Sequence, residues 1–218
     1  MQNKLMIGMP SMGHIKDRTV SSLFKAAAVI SCPAKLTIHT MCYVHVARNS
    51  MVKQAIESGA THLMFIDSDM DFEPNAIERL LNLDKDIIGG LYHRRQVPYL
   101  PTINNLVDDK IVIPKKFPTD APFKVWAVAT GFMLIKTSVL KKIEPPWFSF
   151  QKYKGGQELG EDLYFCRKAN DKGFEVWCDP TIKLGHIGDY IYDRKDYDAY
   201  QDIRPKTDVV DEFDGVMK

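Results

Sequence analysis

The distribution of apolar residues along the 218-residue chain predicts strands that alternate with helices. Four short apolar runs have the length and flanking residues of β-strands, namely residues 4–10, 34–42, 61–67 and 86–92. Three intervening segments have helical periodicity or helix-start signals, namely residues 17–30, 47–59 and 74–83. The order β-α-β-α-β-α-β predicts an α/β fold with a mostly parallel central sheet flanked by helices.

The first predicted helix has an apolar stripe at the spacing of one helix face. We expect this stripe to pack on the sheet, and it consists of Val20, Leu23, Phe24, Ala27 and Ala28.

The second half of the chain is less regular. Residues 94–125 contain five prolines and a candidate hairpin turn at Asp108-Asp109. A buried strand leading into a short helix is predicted over residues 125–143, and residues 145–160 have the Pro, Gly and aromatic content of a mobile flap. Two aromatic residues of this flap, Trp147 and Tyr153, either stack on a ligand ring or pack the loop down.

The flap is followed by a further helix and strand, predicted over residues 161–173 and 174–179. We therefore predict one domain over residues 1–190. Residues 191–218 have little periodicity and are predicted to form a wrapped or partly disordered tail.

Composition narrows the class of protein. A chain of this length that is 45% hydrophobic is large enough to bury its own core as a single domain. The charges of the 29 basic and 28 acidic residues nearly cancel, so the net charge does not indicate binding to nucleic acid or to an anionic membrane. The four cysteines lack metal or disulfide spacing, and no apolar run has the length of a signal peptide core or a spanning helix. A cytoplasmic protein with reduced, buried thiols is expected.

Candidate chemistry begins at FIDSDMDF, where carboxylates directly follow an apolar strand. Residues i and i+2 of an extended segment project to the same side, so Asp67 and Asp69 are expected to converge beyond the carboxyl end of that strand. Converging carboxylates repel one another unless they share a divalent cation such as Mg²⁺ or Mn²⁺. The alternative is that Asp67 caps a turn while Asp69 and Asp71 are solvated.

An EF-hand offers a second metal-binding interpretation of the same segment. Asp67, Asp69, Asp71 and Glu78 occupy loop positions 1, 3, 5 and 12 of that motif. However, Phe72 stands where the loop requires a sharp turn, and a strand rather than a helix precedes it. These two departures argue against an EF-hand.

Three segments taken together resemble the GT-A glycosyltransferases, particularly the family 2-like members: FIDSDMDF, ATGFMLIKTSVL and GEDLYFCRKANDKGFEVWCDPTIKLGHIG. The resemblance extends over about residues 4–190 in order and spacing. It implies a single GT-A, Rossmann-like domain. It also implies that Asp67, with the adjacent Ser68, lies at the nucleotide ribose and metal, and that Asp69 holds the metal on a sugar diphosphate.

Further site residues follow from the same resemblance. It implies an acceptor-side carboxylate at Glu161 or Asp162, a further metal ligand at His186, and a position near the donor nucleotide for Arg48. The residues alone leave other interpretations open, because acids favour a helix N-terminus, a lone histidine is often structural, and an arginine often pairs with a surface acid.

Two residues after the first strand are placed by the fold itself. Pro10 and Ser11 directly follow that strand, where nucleotides bind in open α/β sheets. Both are therefore candidates for contact with the donor nucleotide.

The predicted function is metal-dependent transfer of a sugar from a nucleotide diphosphate sugar to an acceptor hydroxyl, with Mn²⁺ or Mg²⁺ as cofactor. Asp162 is the expected general base, which implies inversion, and the flap is expected to close over the donor. The acceptor hydroxyl can belong to a glycan, a lipid-linked sugar, a protein or a modified nucleobase. Two alternatives are a sugar nucleotidyltransferase, although GMPSMGHIKDR is a poor match to its Gly-rich loop, and a non-catalytic carbohydrate-binding module.

Overall fold

The computed structural model describes residues 2–95 and 99–189, and the chain up to Ile187 forms one compact unit. Within the described residues the strands are β1 Leu5–Ser11, β2 Ala34–Thr40, β3 His62–Ile66, β4 Met70–Phe72, β5 Ile87–Gly90, β6 Ile103–Val107, β7 Lys110–Val112, β8 Phe123–Val125, β9 Ala127–Val128, β10 Phe132–Lys136, β11 Gln151–Lys152, β12 Glu158–Leu159, β13 Val176–Asp179 and β14 Leu184–His186. The α-helices are α1 Asp17–Ala27, α2 Val44–Glu57, α3 Ala76–Asn82, α4 Thr137–Leu140 and α5 Glu161–Asp171. The predicted tail, residues 191–218, lies outside the described residues.

The central sheet of the described chain has seven strands in the order β2-β1-β3-β10-β5-β13-β8. Strands β2, β1, β3, β5 and β13 run in one direction, whereas β10 and β8 run in the other. The predicted α/β fold with a mostly parallel sheet is therefore confirmed. The carboxyl ends of five strands meet at one edge of the sheet, which is where ligands bind in such folds.

Each face of the sheet has its own hydrophobic core, because side chains alternate between the two faces along every strand. In β3, Leu63 and Phe65 contribute to the core beneath α2, α4 and α5. Their neighbours Met64 and Ile66 contribute to the opposite core, beneath α1 and α3. This double burial explains why the strand has a continuous apolar run rather than an alternating pattern.

The predicted buried stripe of α1 is wrong except at Leu23, which is partly buried against the core. Val20 and Phe24 are exposed, Phe24 to 81%, and the helix instead buries Thr19, Ser22 and Ala26. The Ser22 hydroxyl donates to Asp71 Oδ1 (3.0 Å) and accepts a hydrogen bond from the Phe72 amide (3.1 Å). Small polar residues face inward because α1 is fixed to the segment after β3 by hydrogen bonds rather than by apolar contacts alone.

Other predictions for the irregular half have mixed outcomes. The hairpin turn is confirmed, since Asp108 and Asp109 have φ of 48° and 59° between β6 and β7. The single strand predicted near residues 125–136 is wrong, because the chain there forms β8, β9 and β10 as separate pieces. The short helix predicted after it is confirmed as α4.

The longest helix among the described residues is α2, with 14 residues. No helix in that part of the chain combines the length and apolar character that crossing a bilayer requires. All four cysteines are free thiols, and Cys166 and Cys178 are buried.

Candidate active site

The candidate site lies where the chain leaves β1 and β3 at the carboxyl edge of the sheet. These strands are parallel neighbours, so the residues after them lie side by side. A cavity of about 300 Å³ opens there, lined by Pro10, Ser11, Met12, His14, Cys42, Val44, Asp67, Ser68 and Asp69. The structure therefore brings the sequence-predicted residues from the ends of both strands to one cavity.

The loop after β1 is shaped by the Ser11 hydroxyl. It donates to the carbonyl of His14 (2.9 Å) and accepts from the amide of Gly13 (3.1 Å), which has a φ of 103°. Because this hydroxyl is already used by the turn, Ser11 shapes the cavity wall.

Asp67 and Asp69 line the same cavity but have different partners. Strand β3 ends at Ile66, so the alternation of an extended chain no longer applies when the chain turns through Ser68. Asp67 accepts a hydrogen bond from Arg48, whereas Asp69 faces Arg95 and His186. Between them, the Ser68 carbonyl accepts from the Lys16 amide (2.9 Å), which fixes the turn to the start of α1.

Arg48 is buried beneath the cavity rather than lining it. Its side chain is 2% exposed and links two segments, because one Nη donates to Asp67 Oδ1 (2.8 Å) and the other pairs with Glu161 Oε1. Burial lowers the pKa of Arg48, but the charges of Asp67 and Glu161 outweigh this effect and leave the pKa above its ordinary value. Arg48 thus positions a residue of the cavity and the start of α5.

Asp162 is the most perturbed carboxyl group of the site. Burial and the negative charge of Glu161 raise its pKa to about 6, against the opposing effect of Arg48 and of a hydrogen bond from the Leu163 amide (2.7 Å). A carboxylate near this pKa is ionised at neutral pH and still basic enough to accept a proton. Of the two acids that the sequence analysis singled out, Glu161 is paired with Arg48, and the acceptor-side role of either acid stays a prediction.

Asp69 and His186 form a second pair at the mouth of the cavity. His186 Nε2 lies 3.6 Å from Asp69 Oδ2, and His186 Nδ1 lies 3.1 Å from the carbonyl oxygen of His93. A carbonyl oxygen only accepts, so Nδ1 carries a proton, and Nε2 faces Asp69, to which it donates when the ring is protonated. Burial raises the pKa of Asp69, but its interactions with His186 and Arg95 leave it below the ordinary value.

The pair offers one carboxylate oxygen and one ring nitrogen as ligand atoms, although Arg95 pairs with the same oxygen, Asp69 Oδ2. Histidine ligands of metals commonly donate their second ring nitrogen to a carbonyl, as His186 does to His93. In residues 2–95 and 99–189 no three His, Cys, Asp or Glu side chains form a metal-binding cluster. A site with two protein ligands matches Mn²⁺ or Mg²⁺, which takes its remaining ligands from water and substrate phosphates.

The approach of His186 to Asp69 depends on two short strands that the sequence analysis missed. Strands β14 and β4 pair antiparallel, with His186 opposite Met70. The Ile187 amide then donates to the Asp69 carbonyl (2.8 Å). This ribbon connects the LGHIG segment to the turn after β3.

Two further site residues come from the segment after β5 and were also missed. Arg95 lies 2.9 Å from Asp69 Oδ2 and donates to the carbonyl of Ile187 (2.9 Å). Tyr92 is buried, and its hydroxyl accepts from the Gly131 amide (3.1 Å). A Cβ atom at Gly131 would collide with that hydroxyl and lie 3.0 Å from Asp67 Oδ2. The sequence contained an indication that Tyr92 and Arg95 lie near the site, because DIIGGLY was predicted as a strand that ends at the same sheet edge as β3.

The two flap aromatics have different surroundings. Trp147 is buried and its indole nitrogen donates to the Leu140 carbonyl (2.8 Å), so it packs the loop down. Tyr153 lies against the ring of Trp126, with the ring centroids 6.3 Å apart. Neither ring points to a ligand-stacking role.

Comparison with known proteins gives likeness of structure rather than of sequence. No protein-family model matches the chain, and no curated protein matches it. The crystal structure of A197 from STIV matches with a TM-score of 0.64 and 21% identity, covering 85% of this chain and 86% of that chain. This likeness concerns the fold alone.

Weaker structural matches include named transferases. GalNAc-T7, crystallised with UDP, GalNAc and Mn²⁺, matches with a TM-score of 0.48 and 12% identity over 86% of this chain. S. aureus TarS matches with a TM-score of 0.48 and 14% identity over 82% of this chain. The chain spans only 44% of GalNAc-T7 and 59% of TarS, and no inference about activity is based on either match.

Proposed function

We propose that the protein is a metal-dependent glycosyltransferase that moves a sugar from a nucleotide diphosphate sugar to an acceptor hydroxyl. The observation that carries the proposal is the Asp69–His186 pair beside the cavity at the end of β1 and β3. Asp69 Oδ2 and His186 Nε2 lie 3.6 Å apart. A divalent cation held there and coordinated by a diphosphate would place a sugar donor in that cavity.

Asp69 and His186 would hold Mn²⁺ or Mg²⁺, which when bound neutralises negative charge on a diphosphate leaving group. His93 fixes the ring of His186 through its carbonyl, so the imidazole is oriented before any ligand arrives. Arg95 pairs with Asp69 and therefore has to yield to the cation. Its guanidinium would then be free to contact the diphosphate.

The nucleotide would occupy the cavity, against Pro10 and Ser11 on one side and Ser68 on the other. Asp67 would contact the ribose, and Arg48 fixes the position of that carboxylate from below. The proposed role of Arg48 is consequently to position Asp67 rather than to touch the nucleotide itself.

Asp162 would accept the proton of the attacking acceptor hydroxyl. Its pKa, raised to about 6, suits a general base at neutral pH, and such a base typically contributes about 10²- to 10⁴-fold in rate. Attack assisted by a base on the face opposite the leaving group gives inversion, which we include in the proposal. Closure of the flap at residues 145–160 would exclude water from the donor.

The direct test is to incubate the protein with UDP- and GDP-sugars and Mn²⁺ and to measure thermal shift, donor hydrolysis and nucleotide affinity. We expect at least one nucleotide to bind in a metal-dependent manner, with the dependence lost in Asp69→Ala. Asp71→Asn is the matched control, because Asp71 pairs with Ser22 and Arg18 away from the proposed ligands. Equal nucleotide affinity with EDTA and with Mn²⁺ would refute the metal role.

Two further assays on the same protein distinguish the proposed glycosyltransferase from a nucleotidyltransferase and from a carbohydrate-binding module. Release of pyrophosphate from a sugar 1-phosphate and a nucleoside triphosphate would identify a nucleotidyltransferase instead. Binding of sugars without any nucleotide affinity would identify a carbohydrate-binding module.

A further inference from the structure

Three rings form an exposed aromatic group next to the candidate site. Tyr43 and His45 are stacked with ring centroids 6.0 Å apart, and His45 meets Phe150 edge to face at 5.3 Å. Tyr43 is 79% exposed and Phe150 is 58% exposed. Aromatic rings of this size normally bury most of their surface, so a group held open to solvent is available to a ligand.

The group is held in place by Asn49, one turn of α2 after His45. The Asn49 side-chain oxygen accepts from the amides of Trp147 (2.9 Å) and Phe148 (3.1 Å). Its side-chain nitrogen donates to the carbonyls of His45 and Phe148, both at 2.7 Å. The hydrogen bonds of the Asn49 side-chain amide therefore connect the start of the flap to α2. This connection places Phe150 beside His45.

The aromatic group adjoins two cavities, through Phe150 itself and through the neighbours of Tyr43 in the sequence. Cys42 and Val44, which flank Tyr43, line the donor cavity, whereas Tyr43 itself does not. On the other side, Phe150 lines a groove of about 520 Å³ that reaches Gly160. A Cβ atom at Gly160 would lie 3.1 Å from Asp162 Oδ1, so this groove ends next to the proposed base.

We propose that Tyr43, His45 and Phe150 form a stacking surface for a sugar ring of a carbohydrate acceptor. This assignment rests on the proposed glycosyltransferase activity and specifies its acceptor class. The apolar face of a pyranose packs on exposed aromatic rings, and Tyr43 and Phe150 offer such rings beside His45. A ring seated there would have its hydroxyls between the donor cavity and Asp162.

The test measures binding of simple sugars by saturation-transfer NMR and titration. The full-length protein, with UDP and Mg²⁺ present, is titrated with methyl glycosides of glucose, galactose, mannose and N-acetylglucosamine. We expect at least one glycoside to bind through its ring protons, and Phe150→Ala and Tyr43→Ala to weaken that binding by about tenfold. Phe24→Ala is the matched control, because Phe24 is an exposed aromatic residue on α1, outside the stacking surface.

The outcomes separate this assignment from the proposed function. Equal glycoside binding by Phe150→Ala and Phe24→Ala, or no binding of any methyl glycoside by the wild type, would overturn the stacking surface. Loss of UDP affinity in Phe150→Ala or Tyr43→Ala would overturn it as well, since the rings would then contact the nucleobase. The proposed function fails separately, through absence of metal-dependent nucleotide binding in the unmodified protein.

Discussion

Replacing Asp162 with Asn should make the protein more stable while nearly abolishing turnover. The pKa of Asp162 is raised from 3.8 to about 6, so the folded protein binds this proton more tightly than the unfolded chain does. Ionised Asp162 therefore lowers the free energy of unfolding at neutral pH. A shift of about two units corresponds to about 3 kcal/mol, and we expect about 1–3 kcal/mol to be recovered in the variant.

The sign of the effect depends on pH. Above about pH 6, ionisation of Asp162 lowers the free energy of unfolding by its full amount. This loss shrinks as the pH falls toward 4 and vanishes once Asp162 is protonated in both the folded and the unfolded protein. Asp162→Asn should thus raise the melting temperature at pH 7.5 by several degrees, because about 1 kcal/mol corresponds to about 2–4 °C in a domain of this size. At pH 3.5 the melting temperatures of variant and wild type should agree.

The activity of the same variant should change in the opposite direction. We expect kcat to fall at least about a hundredfold with donor affinity unchanged, and the rise of wild-type kcat/KM with pH near 6 to disappear. Glu161→Gln is the neighbouring control, and it should destabilise the fold because it leaves buried Arg48 with one carboxylate fewer. A variant of Asp162 that loses stability at pH 7.5, or retains turnover, would contradict the assigned environment and role.

Three other substitutions test the ion pairs of the site. His186→Ala should weaken Mn²⁺ binding by about ten- to a hundredfold in calorimetry, and unchanged affinity would exclude His186 as a ligand. Arg95→Gln should strengthen Mn²⁺ binding to the nucleotide-free protein by about two- to fivefold, since it removes the cation that pairs with Asp69, while Arg94→Gln should leave it unchanged. Arg48→Met should lower the free energy of unfolding by at least about 3 kcal/mol in urea, because two carboxylates lose a buried partner, and a loss below about 1 kcal/mol would contradict this.

The parts of the fold that could be predicted are those set by local pattern. The apolar run at β3 and the glycine after α2 are local signals, and Gly59 does adopt a positive φ just past that helix. The Asp108-Asp109 turn is equally local. In each case the residues that decide the structure are neighbours in sequence, so the pattern contains the information.

The parts that could not be predicted depend on contacts between distant segments. The inward face of α1 is chosen by hydrogen bonds from Ser22 to the chain at Asp71 and Phe72, which outweigh the apolar stripe containing Phe24. The direction of Asp67 is chosen by Arg48, which lies on another element. Periodicity cannot contain such information, because it describes each segment without its tertiary partners.

The pairing of β4 with β14 has a consequence for the lifetime of the folded protein. Asp69 and His186 adjoin strands that are distant in sequence, so the pair exists only after a long stretch of chain has been closed and its entropy lost. A cation bound by both residues would therefore oppose unfolding of the whole domain rather than of one loop. At a hundredfold excess over its dissociation constant such a cation would add about 2.7 kcal/mol to the free energy of unfolding, so a change in its concentration would alter how often the domain opens to proteases.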